Sequence, residues 1–132
     1  MKFFLAVLLG AMLSATSLPS YAYDEARAGN NFAHEAAECA AYYMIGSVAP
    51  GLGQETSQSF MKGAAVLLEL SESFTSRELA KARFLLATES MKRDMGKNWS
   101  NVSIILQKHG YFCKDFSDNP VARFSYWLDK QD

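Results

Sequence analysis

The stretch NFAHEAAECAAYYMIG, residues 31–46, decides the fold. Phe32, Ala36, Cys39, Tyr43 and Gly46 recur at steps of four, three, four and three, which draws one stripe down an α-helix. Asn31, Glu35, Glu38 and Tyr42 fall on a more polar side. Strand-like alternation is scarce anywhere in the chain, so the dominant period is helical. The pattern predicts a first helix from about Asp24 to Val48. Ala49-Pro50-Gly51-Leu52-Gly53 should end it, because proline lacks the amide donor and glycine favours the turn.

Downstream the same period continues. Phe60, Ala64, Leu67 and Ser71 share a line on a helix from Gln54 to about Ser73, with Met61, Ala65 and Leu68 beside it. Thr75 and Glu78 have the spacing of a capping box and should open a third helix, striped by Ala80, Phe84, Ala87, Met91 and Met95 and stopped by Gly96. Asn98 or Ser100 is expected to cap a shorter fourth helix containing Val102, Ile105, Leu106 and His109, closed by Gly110. Tyr111-Phe112-Cys113 then reads as a hydrophobic connector. Asn119 before Pro120 reads as a cap with proline at the first helical position, opening a helix that buries Phe124, Trp127 and Leu128. The expected fold is all-α: a small bundle of four main helices plus a short C-terminal helix.

Residues 1–22 read as an export leader. Lys2 supplies the positive end, Phe3 to Leu13 is an apolar run, and Ser20 and Ala22 are small residues spaced for cleavage after Ala22. The run is shorter than the roughly 20 residues that a membrane span needs. Residues 23–132 should then form a single helical domain, exported to a periplasm or secreted, with no membrane span. In an oxidising compartment Cys39 and Cys113 are expected to pair as a disulfide that staples the first helix to the end of the bundle. No Cys-x-x-Cys pair is present to suggest a redox role.

Lys2 leaves with the leader, so twelve bases face fourteen acids, a net charge of −2. That balance does not suggest a nucleic-acid binder, which normally carries a basic excess. The charge is uneven: residues 23–72 carry net −5 and residues 73–132 net +3. Acidic early helices are expected to lie against basic later ones and to pair partly with them.

Chemistry-bearing patterns are sparse. His34-Glu35-Ala36-Ala37-Glu38 resembles the zinc pattern H-E-x-x-H, with Glu38 in place of the second histidine. The plainer reading of His34 and Glu38 is a polar pair one turn apart on a solvated face. Glu35/Glu38 and Glu69/Glu72 are carboxylate pairs at helical spacing, and such pairs are usually exposed charge. No G-x-S-x-G motif is present, and Gly51-x-Gly53 follows a helix rather than a strand. Asn98-Trp99-Ser100 and Asn101-Val102-Ser103 match the glycosylation pattern but are more simply caps. No catalytic residue, metal site or cofactor is therefore assigned.

Most of the many aromatic and methionine side chains must be core. Tyr111, Phe112, Phe116, Tyr126 and Trp127 cluster near the second cysteine and form the candidate surface for a partner or ligand. The leading functional expectation is a non-enzymatic protein-interaction module: an inhibitor, immunity factor or accessory subunit for an unknown protein partner. A carrier of a small apolar ligand in an interhelical pocket comes second. A metal-dependent enzyme using His34 and Glu38 is a distant third.

Overall fold

The computed structural model describes residues 21–130, and among these every regular element is a helix. Helix α1 is Tyr21–Ser47, α2 is Gln54–Phe74, α3 is Arg77–Asp94, α4 is Val102–Asp118 and α5 is Pro120–Asp129. A single 3-10 turn, Trp99–Asn101, precedes α4. This is the expected bundle of four main helices and a short terminal one. Most of the leader, residues 1–20, lies outside the described residues.

Small side chains explain the architecture. Ala28, Ala33, Ala36, Ala37, Cys39, Ala40 and Ala41 are all buried, and together they take up most of the circumference of the middle of α1, leaving a solvent strip that carries His34 and Glu38. Helices can approach closely where only a methyl group intervenes, so α1 packs against α2, α3, α4 and α5 in turn. It is the axis of the molecule rather than one wall of a bundle. Large side chains then fill the space at its two ends. Phe32 stacks on Phe116, with Phe74 and Phe124 edge-on or tilted around them, while Tyr42, Tyr43 and Phe60 form a second aromatic group.

The polar side expected on α1 is therefore only partly polar. Glu35 and Tyr42 are buried, because the later helices cover the face that periodicity alone leaves to solvent. Tyr42 aims its hydroxyl at Gly110, where an added Cβ would lie 3.1 Å from the oxygen. Burial, with Tyr43 nearby, raises the pKa of this phenol.

That contact also corrects the reading of α4. Gly110 does not close the helix. It makes room for Tyr42, and the helix continues through Tyr111, Phe112 and Cys113 to Asp118. Cys113 is thus a mid-helix residue rather than part of a connector. Its sulfur bonds that of Cys39, with Cα atoms 5.3 Å apart, joining α1 to α4 across the core.

The punctuation between helices is mostly as expected. Gly96, with φ +64°, follows the C-cap of α3 in the left-handed region that glycine favours. Asn98 accepts a hydrogen bond from the Ser100 amide, and Asn101 donates its side-chain amide to the Met95 carbonyl. Both possible glycosylation acceptors are thereby engaged in local structure. Asn119 caps α5 by accepting from the Ala122 amide, with Pro120 in the first turn. The cap of α3, however, is Ser76 and not Thr75. Ser76 accepts from the Leu79 amide, while Thr75 donates back to the Ser71 carbonyl at the end of α2. On α5, Phe124 and Trp127 are half-buried, but Leu128 is exposed.

His109 should give this fold a pH dependence. Its Nε2 is buried and makes no hydrogen bond, with the Tyr42 ring 6.4 Å away. Desolvation pushes its pKa below the usual 6.5; Lys108 adds to the shift, while Glu38 and Asp94 oppose it. A depressed folded-state pKa means that stability is intact above the unfolded pKa and is lost as pH falls through the folded one. Stability should therefore decline as pH drops below about 6.5. Urea midpoints measured at about pH 7.5 and about pH 5.5 should separate, and His109→Gln should narrow the gap. An equal gap in that variant would assign the dependence to other groups.

Candidate functional site

The residues expected to form a surface lie on α4 and α5, and the sharp Asn119–Pro120 junction determines how these two helices meet. The junction places the last turns of α4 beside the first turns of α5, leaving a cleft of about 270 Å³ between them. Phe112, Asp115, Phe116, Asn119, Ala122, Arg123 and Tyr126 line it. Phe116 is core at the back of the cleft, stacked on Phe32 with ring centroids 4.9 Å apart.

An ion pair with α1 holds α5 in place. Arg123 donates from Nε to Glu35 Oε2 at 2.7 Å and from Nη2 to Oε1, a two-pronged contact. Trp127 donates its indole N–H to Oε2 at 3.0 Å. The Glu35 side chain is only 11 % exposed and that of Arg123 26 %, so the pair is largely out of water. Such a carboxylate is tolerable because three donors reach it. The hydrogen bond to Glu35 raises the Arg123 pKa, with burial opposing it.

The same guanidinium forms part of the cleft wall. Its carbon lies 4.1 Å from the Tyr126 ring centroid, 5.1 Å from Phe112 and 5.3 Å from Trp127. Stacking of this kind fixes the rings as well as the cation. Glu35 thus anchors Arg123, and Arg123 orders the aromatic rim.

The five expected surface residues therefore divide. Tyr111 is 95 % exposed, and Phe112 and Tyr126 are also exposed. Phe116 belongs to the core, and Trp127 is half-buried with its N–H committed to Glu35. Glu35 and Arg123 were not anticipated. The available signal was the alanine run around Glu35, which implies a wide buried face on α1 and so a partner for a carboxylate that falls within it.

The other candidates do not converge. His34 Nε2 lies 3.7 Å from Glu38 Oε1, and both side chains are about half exposed, as for an ordinary pair one turn apart. Glu35 faces Arg123 while Glu38 faces His34, so these two carboxylates share no site. Among the described residues no three of His, Cys, Asp and Glu come together as metal ligands. Ser71 is fully buried and donates to the Ala33 carbonyl at 2.7 Å, linking α2 to α1. Among the described residues no helix is long and apolar enough to cross a membrane. Comparison with known proteins finds no matching family, no matching curated relative and no matching solved structure.

Proposed function

We propose that this protein is an exported, non-enzymatic interaction module that docks a protein partner on the α4–α5 edge, as an inhibitor, immunity factor or accessory subunit. One observation carries the reading. Three large rings, Tyr111, Phe112 and Tyr126, stand exposed at or beside a cleft whose wall is tied to the core. Rigid aromatic side chains concentrate binding energy at protein interfaces, because they bury much area while losing little rotamer freedom. The Glu35–Arg123 contact and the Cys39–Cys113 bond hold α5 and α4 on α1, so little ordering remains to be done on association.

The carrier reading has less support at this cleft. Its volume, about 270 Å³, lies below the roughly 300–1,000 Å³ of small-molecule pockets, and Arg123 and Asp115 place charge in its partly aromatic wall. Insertion of one partner side chain suits it better than enclosure of an apolar molecule.

Affinity capture from the exported protein fraction of the source cells tests the proposal. The native protein should retain a partner that Tyr111→Ala/Tyr126→Ala releases, and Tyr111→Ala alone, which removes a ring 95 % exposed, should weaken capture with the melting temperature unchanged. Equal capture by the double variant would move the interface elsewhere. No captured protein, together with a co-purified apolar molecule in native mass spectrometry, would replace this reading with the carrier.

A further inference from the structure

The outer face of the α2–α3 pair carries one pattern twice. On α2, Lys62, Ala65, Val66 and Glu69 are all exposed; on α3, Ala82, Leu85, Leu86 and Glu89 are all exposed, at the same spacing. By helical geometry both sets point away from the buried Ala64, Leu67 and Ser71 of α2 and the buried Ala80 and Met91 of α3. Only Thr75 and Ser76 connect the two helices, which pack against each other and so run antiparallel. That register sets residues 65–66 level with residues 85–86. An apolar band of Ala65, Val66, Leu85 and Leu86 therefore crosses both helices at mid-height, with Leu86 71 % exposed. Single exposed apolar side chains are ordinary, but a contiguous band is a feature of association surfaces.

The charges around this band say what covers it. Lys62 and Glu69 flank Ala65-Val66 on α2, and neither has an ion-pair or hydrogen-bond partner among the described residues. We propose that this face is the interface of a two-fold homodimer. A two-fold axis that lays α2 antiparallel on its copy sets Val66 near Val66 of the partner subunit. It also sets Lys62 against Glu69 of the partner subunit, and the axis repeats that pairing. A cation and an anion equidistant from an apolar centre are complementary to their own image under this rotation. The contact is isologous and closes at two copies. It uses none of the residues lining the α4–α5 cleft, so it is independent of the partner surface proposed above.

Sedimentation equilibrium of the disulfide-intact protein over a concentration series tests this. The expected result is a reversible monomer–dimer equilibrium. Lys62→Glu should weaken it about tenfold, because the axis places the repulsion at two points. Lys62→Glu/Glu69→Lys should return the dissociation constant to within about threefold of the native value, because the swap re-forms both pairs. Leu86→Asp should leave only monomer. Unchanged far-ultraviolet circular dichroism in all three variants shows that they are folded, as expected for exposed positions. A monomeric mass at every concentration would overturn the proposal. So would a dimer that Leu86→Asp and Lys62→Glu leave intact, or one that the charge swap fails to restore.

Discussion

Reducing the Cys39–Cys113 bond should lower the melting temperature by about 15–30 °C. The two cysteines are 74 positions apart, so the bond closes a long loop in the unfolded chain. The chain-entropy argument gives about 4.5 kcal/mol for such a loop, an upper-end figure because residual structure in the unfolded state reduces it. Small domains are stable by only about 5–15 kcal/mol in total, so this one bond contributes a large share. In the fold it joins the middle of α1 to the middle of α4, both fully buried there. Calorimetry with and without reductant measures the effect, and Cys39→Ala/Cys113→Ala gives it without a thiol reagent. A melting temperature that reduction leaves unmoved would refute the account of the staple.

Arg123→Ala should destabilise the fold by about 3 kcal/mol, the typical result of removing one partner of a largely buried ion pair. The remaining Glu35 carboxylate would keep only the Trp127 N–H as a donor while still shielded from water. Glu35→Gln should cost less, because the amide carries no charge and Arg123, being 26 % exposed, can turn toward solvent. Pairing Glu35→Gln with Arg123→Ala should recover part of the loss, since no buried charge is then left alone. Urea unfolding of the four proteins gives the coupling energy, expected at about 1–3 kcal/mol. Strictly additive effects would mean that Glu35 and Arg123 act independently, and that α5 is held by its apolar contacts alone.

How far the chain could be read depends on whether each signal is local. Helix-period stripes, the Ala49-Pro50-Gly51 break, Gly96 and the Asn119-Pro120 cap all act within a few residues of themselves, and each appears where expected. The Thr75/Ser76 cap is displaced by one position because both hydroxyls suit the role, and the backbone path chooses between them. Gly110 is different in kind. Its reason for being glycine is the Tyr42 hydroxyl, a contact 68 positions away, and nothing beside it distinguishes that from a helix stop.

The misread glycine carried over into the site. With α4 continuous, Ile105, His109, Cys113 and Phe116 follow at steps of four, four and three, which places Phe116 on the core side and Tyr111 away from it. Broken at Gly110, the same residues look like one undivided aromatic cluster. Glu35 was hidden for a related reason. A stripe drawn from Phe32 and Cys39 assumes a narrow buried face, whereas the alanines of α1 let four helices cover all but the strip that carries His34 and Glu38. The charge asymmetry between the halves of the chain did carry information. One early acid and one late base, Glu35 and Arg123, do pair across the core.

The central claim is that α1 is the buried axis, bonded to α4 through sulfur and to α5 through Glu35. Native-state hydrogen exchange tests this most directly. The amides of Ala36–Tyr43 should be the slowest in the protein, opening only with global unfolding, and reduction should accelerate them most. If those amides exchange as fast as those of α5, or if reduction leaves their protection unchanged, α1 is not the axis that holds the molecule together.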